Sequence, residues 1–197
     1  MSYDIVALTP KHQGDYLAYF DGPAFADNPD WAGCYCHFYF CPRQLDWKSL
    51  GSKENRDAIA ARIAVGEMEG YLAYSGQEVV GWLNVQPRHR APHAFMRLGI
   101  APTPLDFPET DIAMVLCFVV HPEHRRRGVA TALLEGALAE LAARGFRCVE
   151  AYPFKADEED LSEHYHGPRQ LFEAAGFTLL RDDAKLCVLR KALRPCI

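Results

Sequence analysis

Long apolar runs are missing from this chain. The longest, Ile112 to Val120, has nine residues, far short of the roughly 20 that a membrane-spanning helix needs. The opening stretch, "MSYDIVALTPKHQGDYLAYF", has no basic segment followed by a pure apolar core, so it does not read as a secretory leader. The expected location is cytoplasmic, off the membrane. Positive charge is also scarce: 21 Lys and Arg stand against 26 Asp and Glu, a formal net charge of -5. That balance argues against general nucleic-acid binding, which needs a basic face. No internal repeat, low-complexity tract or separating linker is present. The 197 residues are therefore expected to form one domain, residues 1–197 with a core over 3–193.

The remainder is ordinary globular composition, 49% hydrophobic and 24% charged. The cysteines number seven. Cys117, Cys148 and Cys187 sit in apolar runs and read as buried strand thiols. "YDIVAL" predicts a first strand, and Thr9-Pro10 the start of a helix toward Phe20. Residues 22–52 are turn-rich and aromatic until Ser52, the expected cap of a helix through "KENRDAIAARIAVGE". "EGYLAYSGQEVVGWLNVQP" predicts a hairpin. Residues 87–110 form a proline-rich connection with a short helix near Phe95. "DIAMVLCFVV" predicts a central strand covered on both faces. In "GVATALLEGALAELAARG", Leu133, Leu134, Ala137, Leu138 and Leu141 share a helix face and Gly145 ends it. A strand at "FRCVEAYP", an acidic loop, a helix from Pro168 to Gly176 and a closing hairpin around "DDA" complete the pattern. The fold class is α/β, a central mixed β-sheet flanked by helices.

Three consecutive arginines in an acidic chain need a reason. "VVHPEHRRRGVATAL" runs from a strand into a helix at Gly128. The first N–H groups of a helix lack internal partners, and the helix dipole makes that end positive. Gly128 and Ala130 leave room for a phosphate, and Arg125, Arg126 and Arg127 add cationic reach. A diphosphate is a sensible ligand. The glycine spacing is wrong for a dinucleotide fingerprint, and no P-loop lysine precedes Ser or Thr.

Arg125-Arg126-Arg127-Gly128-Val129-Ala130, between this strand and this helix, resembles the coenzyme A signature of the GNAT superfamily of N-acetyltransferases. "YHGPRQLFEAAGF" followed by a strand pair is similar to the superfamily's C-terminal helix. The resemblance runs from about Ile5 to Leu193. It implies acetyl-CoA as co-substrate, with the N–H groups of Arg126 to Thr131 around the diphosphate. It implies the backbone of Phe118, Val119 and Val120 beside the pantetheine arm, and an oxyanion donor near Val119, freed by a strand bulge. The reaction implied is direct attack by a primary amine. The acceptor would be a small molecule or a peptide amine, met by the variable loops 22–52 and 87–110. Homodimers are compatible with the family, though no segment marks an interface.

One position departs from the family pattern. Many members carry a tyrosine acid where this chain has Phe172, next to the cofactor. Tyr165 is the substitute candidate for the acid. Glu150, inside the strand "CVEAYP", is the candidate base; its bland reading is an outward-facing carboxylate. His121 and Glu123 read as turn chemistry, "PRHRAPH" as a basic loop, Asp157 to Asp160 as a solvated loop and Trp82 as core or cleft wall. "CYCHFYFC" brings Cys34, Cys36, His37 and Cys41 together, but the spacing is poor for zinc; a packing segment is the simpler reading and no metal is expected. Two rivals to the transferase stay open: a non-catalytic CoA-binding sensor of the same fold, and a metal or redox protein centred on Cys34 to Cys41.

Overall fold

The computed structural model describes residues 2–42, 44–155 and 165–193. Seven strands form one sheet in the order β1-β2-β3-β4-β5-β7-β6. They are β1 (Asp4–Ala7), β2 (Gly70–Ser75), β3 (Glu78–Pro87), β4 (Ile112–Val120), β5 (Cys148–Ala151), β6 (Thr178–Asp182) and β7 (Cys187–Ala192). Every neighbouring pair is antiparallel except β4 and β5. A parallel pair needs a crossover, which is the long helix α4 (Val129–Arg144). The other helices are α1 (Gln13–Asp21), α2 (Ser52–Ala64), α3 (Ala94–Leu98) and α5 (Arg169–Ala174). The expected mixed sheet flanked by helices is thus present.

Each face of the sheet has its own core. One packs α1, α2, α3 and the aromatic segment, through Tyr16, Phe20, Tyr39, Ile59 and Phe95. The other packs α4 and α5, through Leu133, Leu134, Ala137, Leu138, Leu141 and Phe172. The predicted α4 face is the buried one. Gly145 stops the helix with φ 97°, a left-handed turn, its N–H reaching Leu141 and Ala142 carbonyls. At the other end the helix lies tight on β3: a Cβ at Gly81 would sit 2.6 Å from Val129 Cγ1.

β4 changes phase along its length. Met114 and Leu116 belong to the α1 side, Ala113 and Val115 to the α4 side. Beyond that point Cys117 and Val119 belong to the α1 side, and Phe118 to the α4 side. Residues alternate sides in a regular strand, so one extra residue is inserted at Leu116. The register against β3 shifts at the same place, with Cys117 opposite Asn84 and Val115 opposite Val85. This is a β-bulge.

Local differences from expectation are small. Gly51 is the N-cap of α2, and Ser52 is its first helical residue, because the Ser52 side chain turns toward Tyr35 instead. Arg88 belongs to no exposed basic loop. It is buried, donating to Thr103 Oγ1 at 2.7 Å and pairing with Glu109. Asp157 to Asp160 lie outside the described residues.

Candidate active site

Where β4 bulges, it also parts from β5. Pairing runs from Ile112 opposite Cys148 to Val115 opposite Ala151 and no further. Leu116 to Val120 therefore face no strand on that side among the described residues. His121 N–H donates to Val80 O at 3.0 Å. By the alternation of an antiparallel ladder, Val119 then pairs toward β3, while the backbone groups of Phe118 and Val120 turn outward. Tyrosine hydroxyls steady this half-strand from the α1 side: Tyr19 Oη donates to Val119 O and Tyr39 Oη to Leu116 O, each at 3.0 Å.

The open edge leads into the helix start through a short 3-10 turn, Pro122–His124. Arg126 and Gly128 take left-handed backbone, φ 56° and 86°. The first intrahelical bond runs from Ala132 N–H to Gly128 O at 2.9 Å. The N–H groups of Val129, Ala130 and Thr131 thus form the unpartnered first turn of α4. A Cβ at Gly128 would meet nothing within 4 Å, so the space in front of this turn is open.

The three arginines have different fates. Arg125 is committed: Nη2 donates to Asp27 Oδ1 at 3.0 Å and Nε to Val120 O at 3.2 Å. This guanidinium holds the Asp27 carboxyl below its ordinary range. Arg126 lines the cleft, and Arg127 does not; the Arg127 carbonyl accepts from Tyr3 Oη at 3.3 Å.

A cleft of about 1290 Å³ joins this helix start to the open edge of β4 and then to the segment 24–55. Tyr165 lies on its wall, next to Gly167 and Pro168, its ring tilted against that of His166 with centroids 4.2 Å apart. Phe172 does not reach the cleft. It is fully buried behind Phe118, its ring 6.1 Å from that residue's.

Glu150 is neither outward-facing nor in the cleft. Its side chain is completely buried, accepting from Thr103 Oγ1 (2.9 Å), Tyr152 Oη (2.7 Å) and Arg190 Nη2 (2.7 Å). A buried carboxylate needs such partners, and these leave it no route to a substrate. The network ties the connection 87–110 to β5 and β7, and no residue of that connection lines the cleft.

Sequence reasoning missed His166 and Tyr39. His166 is 1% exposed; its Nε2 lies 3.2 Å from Tyr39 Oη, and its Nδ1 has no partner among the described residues. Tyr39 Oη spends its proton on Leu116 O, so Nε2 carries the hydrogen that Tyr39 accepts. Burial pushes the imidazole down to about 3. A histidine after a tyrosine in "EHYHGP" was the available signal, without a partner in view.

The cysteine segment is packing. Cys36 and Cys41 are buried, and His37 Nδ1 lies 2.9 Å from Asn55 Oδ1. Hydrogen bonding to Cys36, then burial, raises the Cys34 thiol; hydrogen bonding to Cys117 raises that of Cys36. Among the described residues no group of three or more His, Cys, Asp or Glu could hold a metal ion. Nor, among these residues, is any helix long and apolar enough to cross a membrane.

The model of the acetyltransferase (GNAT) family matches residues 35–177. No curated protein matches the chain. Solved structures do. An acetyltransferase from Thermus thermophilus is 17% identical with TM-score 0.56, over 98% of this chain and 97% of that one. The PaiA N-acetyltransferase of Thermoplasma acidophilum, in complex with coenzyme A, is 13% identical with TM-score 0.56, over 98% and 99%. The ribosomal-protein-S18-alanine N-acetyltransferase of Escherichia coli is 13% identical with TM-score 0.52, over 99% and 96%. At these identities the likeness is one of fold.

Proposed function

The chain belongs to the acetyltransferase (GNAT) family, and from that premise we propose that it moves an acetyl group from acetyl-CoA to a primary amine, as a single domain. One observation carries the reading: the open edge of β4 runs directly into an unpartnered helix start, so one continuous surface offers backbone donors first to an extended arm and then to a diphosphate.

The residues fit that substrate. The N–H groups of Val129, Ala130 and Thr131 face the diphosphate, with the Arg126 side chain in reach and Gly128 leaving the approach open. The outward backbone of Phe118 and Val120 pairs with the amide-bearing arm as an added strand would. Val119 serves as wall, and Arg125 braces the mouth through Asp27. An outward N–H of this half-strand receives the developing oxyanion. The neutral amine attacks the thioester carbon, the C–S bond breaks, and the departing thiolate takes a proton. Tyr165, on the cleft wall, gives that proton and recovers one from the amine nitrogen, so the tyrosine ends as it began. Phe172, sealed behind Phe118, takes no part, and Glu150 holds the frame.

Calorimetric titration with acetyl-CoA tests the donor site. Wild type binds it. Gly128→Glu lowers affinity at least about 100-fold, because a carboxylate then faces the diphosphate across open space; the left-handed backbone adds about 1–2 kcal/mol of strain. No binding by wild type sinks the reading. Release of free thiol with a panel of amines separates a transferase from a CoA-binding sensor.

A further inference from the structure

The two ends of the cleft differ in charge and in surface. Among the described lining residues every arginine, Arg125 and Arg126, stands at the helix start. The wall built from residues 24–55 has no lysine, arginine or histidine among its described lining residues, and two acids, Asp27 and Asp30. Asp27 is taken by Arg125. Asp30 is exposed and makes no ion pair with any described residue. Arg97, which lies behind this wall with its guanidinium 5.0 Å from the Phe38 ring, is spent on the carbonyls of Cys41 and Pro42.

Aromatic rings supply much of that wall, beside Asn28, Cys34, Ser52 and Asn55. Phe25, Trp31, Phe38 and Trp47 all line it. Phe38 and Trp47 meet edge to face with centroids 5.5 Å apart. Trp31 is 39% exposed at the rim. Rings of this kind attract an aromatic body by stacking and an ammonium by its charge.

Resting on the transferase reading, we infer that the acceptor is an arylalkyl monoamine, a primary amine with one positive charge on an aromatic body. Asp30 draws the ammonium in, and the rings hold the body while the nitrogen reaches β4. A free amino acid would bring a carboxylate to a wall with no cation among its described lining residues. A polyamine would bring several charges to the one unpaired carboxylate among the described lining residues. Each leaves a charge unpaired, which is costly on burial.

Tryptamine, spermidine and glycine are titrated by calorimetry into the CoA-saturated protein, and the same amines are assayed for thiol release from acetyl-CoA. Tryptamine is expected to bind at least about tenfold tighter than the others and to give the highest kcat/KM. Trp31→Ala, at an exposed position that does not threaten folding, and Trp47→Ala each weaken tryptamine about tenfold and leave CoA affinity unchanged. The inference is overturned if spermidine or glycine binds as tightly as tryptamine, or if neither tryptophan matters. Tight tryptamine binding without thiol release upholds the aromatic site and sinks the transfer reading instead.

Discussion

The two halves of the cleft are made of different material. The donor half is main chain: an unpaired strand edge and the first turn of a helix, with side chains kept out of the way at Gly128 and Ala130. The acceptor half is side chain: rings and, among the described residues, one unpaired carboxylate on a segment of short 3-10 turns between α1 and α2. A backbone site needs only that a strand and a helix follow one another, so it tolerates wide change in sequence. A side-chain site depends on which residues a loop happens to carry. One fold can thus keep its donor while its acceptor varies.

The sharpest way to isolate either half is to damage something that belongs to neither. Glu150→Ala leaves the part-buried Arg190 guanidinium with Asp106 as its remaining carboxylate, and leaves Thr103 and Tyr152 without their acceptor. Two buried hydroxyls left without an acceptor cost about 1–3 kcal/mol each, read as a lower urea midpoint, while the folded fraction keeps its KM for acetyl-CoA. Tyr39→Phe acts where the halves meet. It orphans the Leu116 carbonyl at the bulge and the His166 Nε2–H, a loss of about 1–3 kcal/mol. A larger fall in kcat than in CoA affinity would mark the bulge as part of the chemistry.

The same junction has a pH signature. The folded protein keeps His166 neutral, its pKa lowered from 6.5 to about 3. Between those values the unfolded chain binds a proton that the folded one refuses, so this residue makes stability fall as pH drops below about 6.5. Thermal melts at descending pH should show a shallower decline in His166→Gln than in wild type, since glutamine still donates to Tyr39 but does not titrate. An equal decline would remove His166 from the account. The smallest effect is expected at the mouth. Asp27→Asn breaks an exposed pair with Arg125 and shifts stability by less than about 1 kcal/mol, measurable by the same melts.

The sequence made the donor half legible and much of the acceptor half opaque, for physical reasons. Gly128 and the leucines of α4 announce a helix start by local spacing alone. The hairpin around Gly76 and the closing hairpin are equally local. Glu150 misled because its burial depends on Thr103 and Arg190, 47 residues before it and 40 after. The Tyr39 and His166 pair spans 127 residues, and no spacing rule reaches that far. The bulge left no trace because β4 is buried on both faces, so its residues are apolar in either phase.

That hidden insertion has a consequence for anyone lining up this chain with a relative or rebuilding it. β4 is read in two frames, one before Leu116 and one after. Pairing all its residues in one regular register, without the bulge, would exchange the faces of everything downstream: Phe118 would swing to the acceptor side, Val119 to the helix, and Phe118's outward amide would turn into the sheet. The bulge at Leu116 is as much a part of the site as any side chain in it.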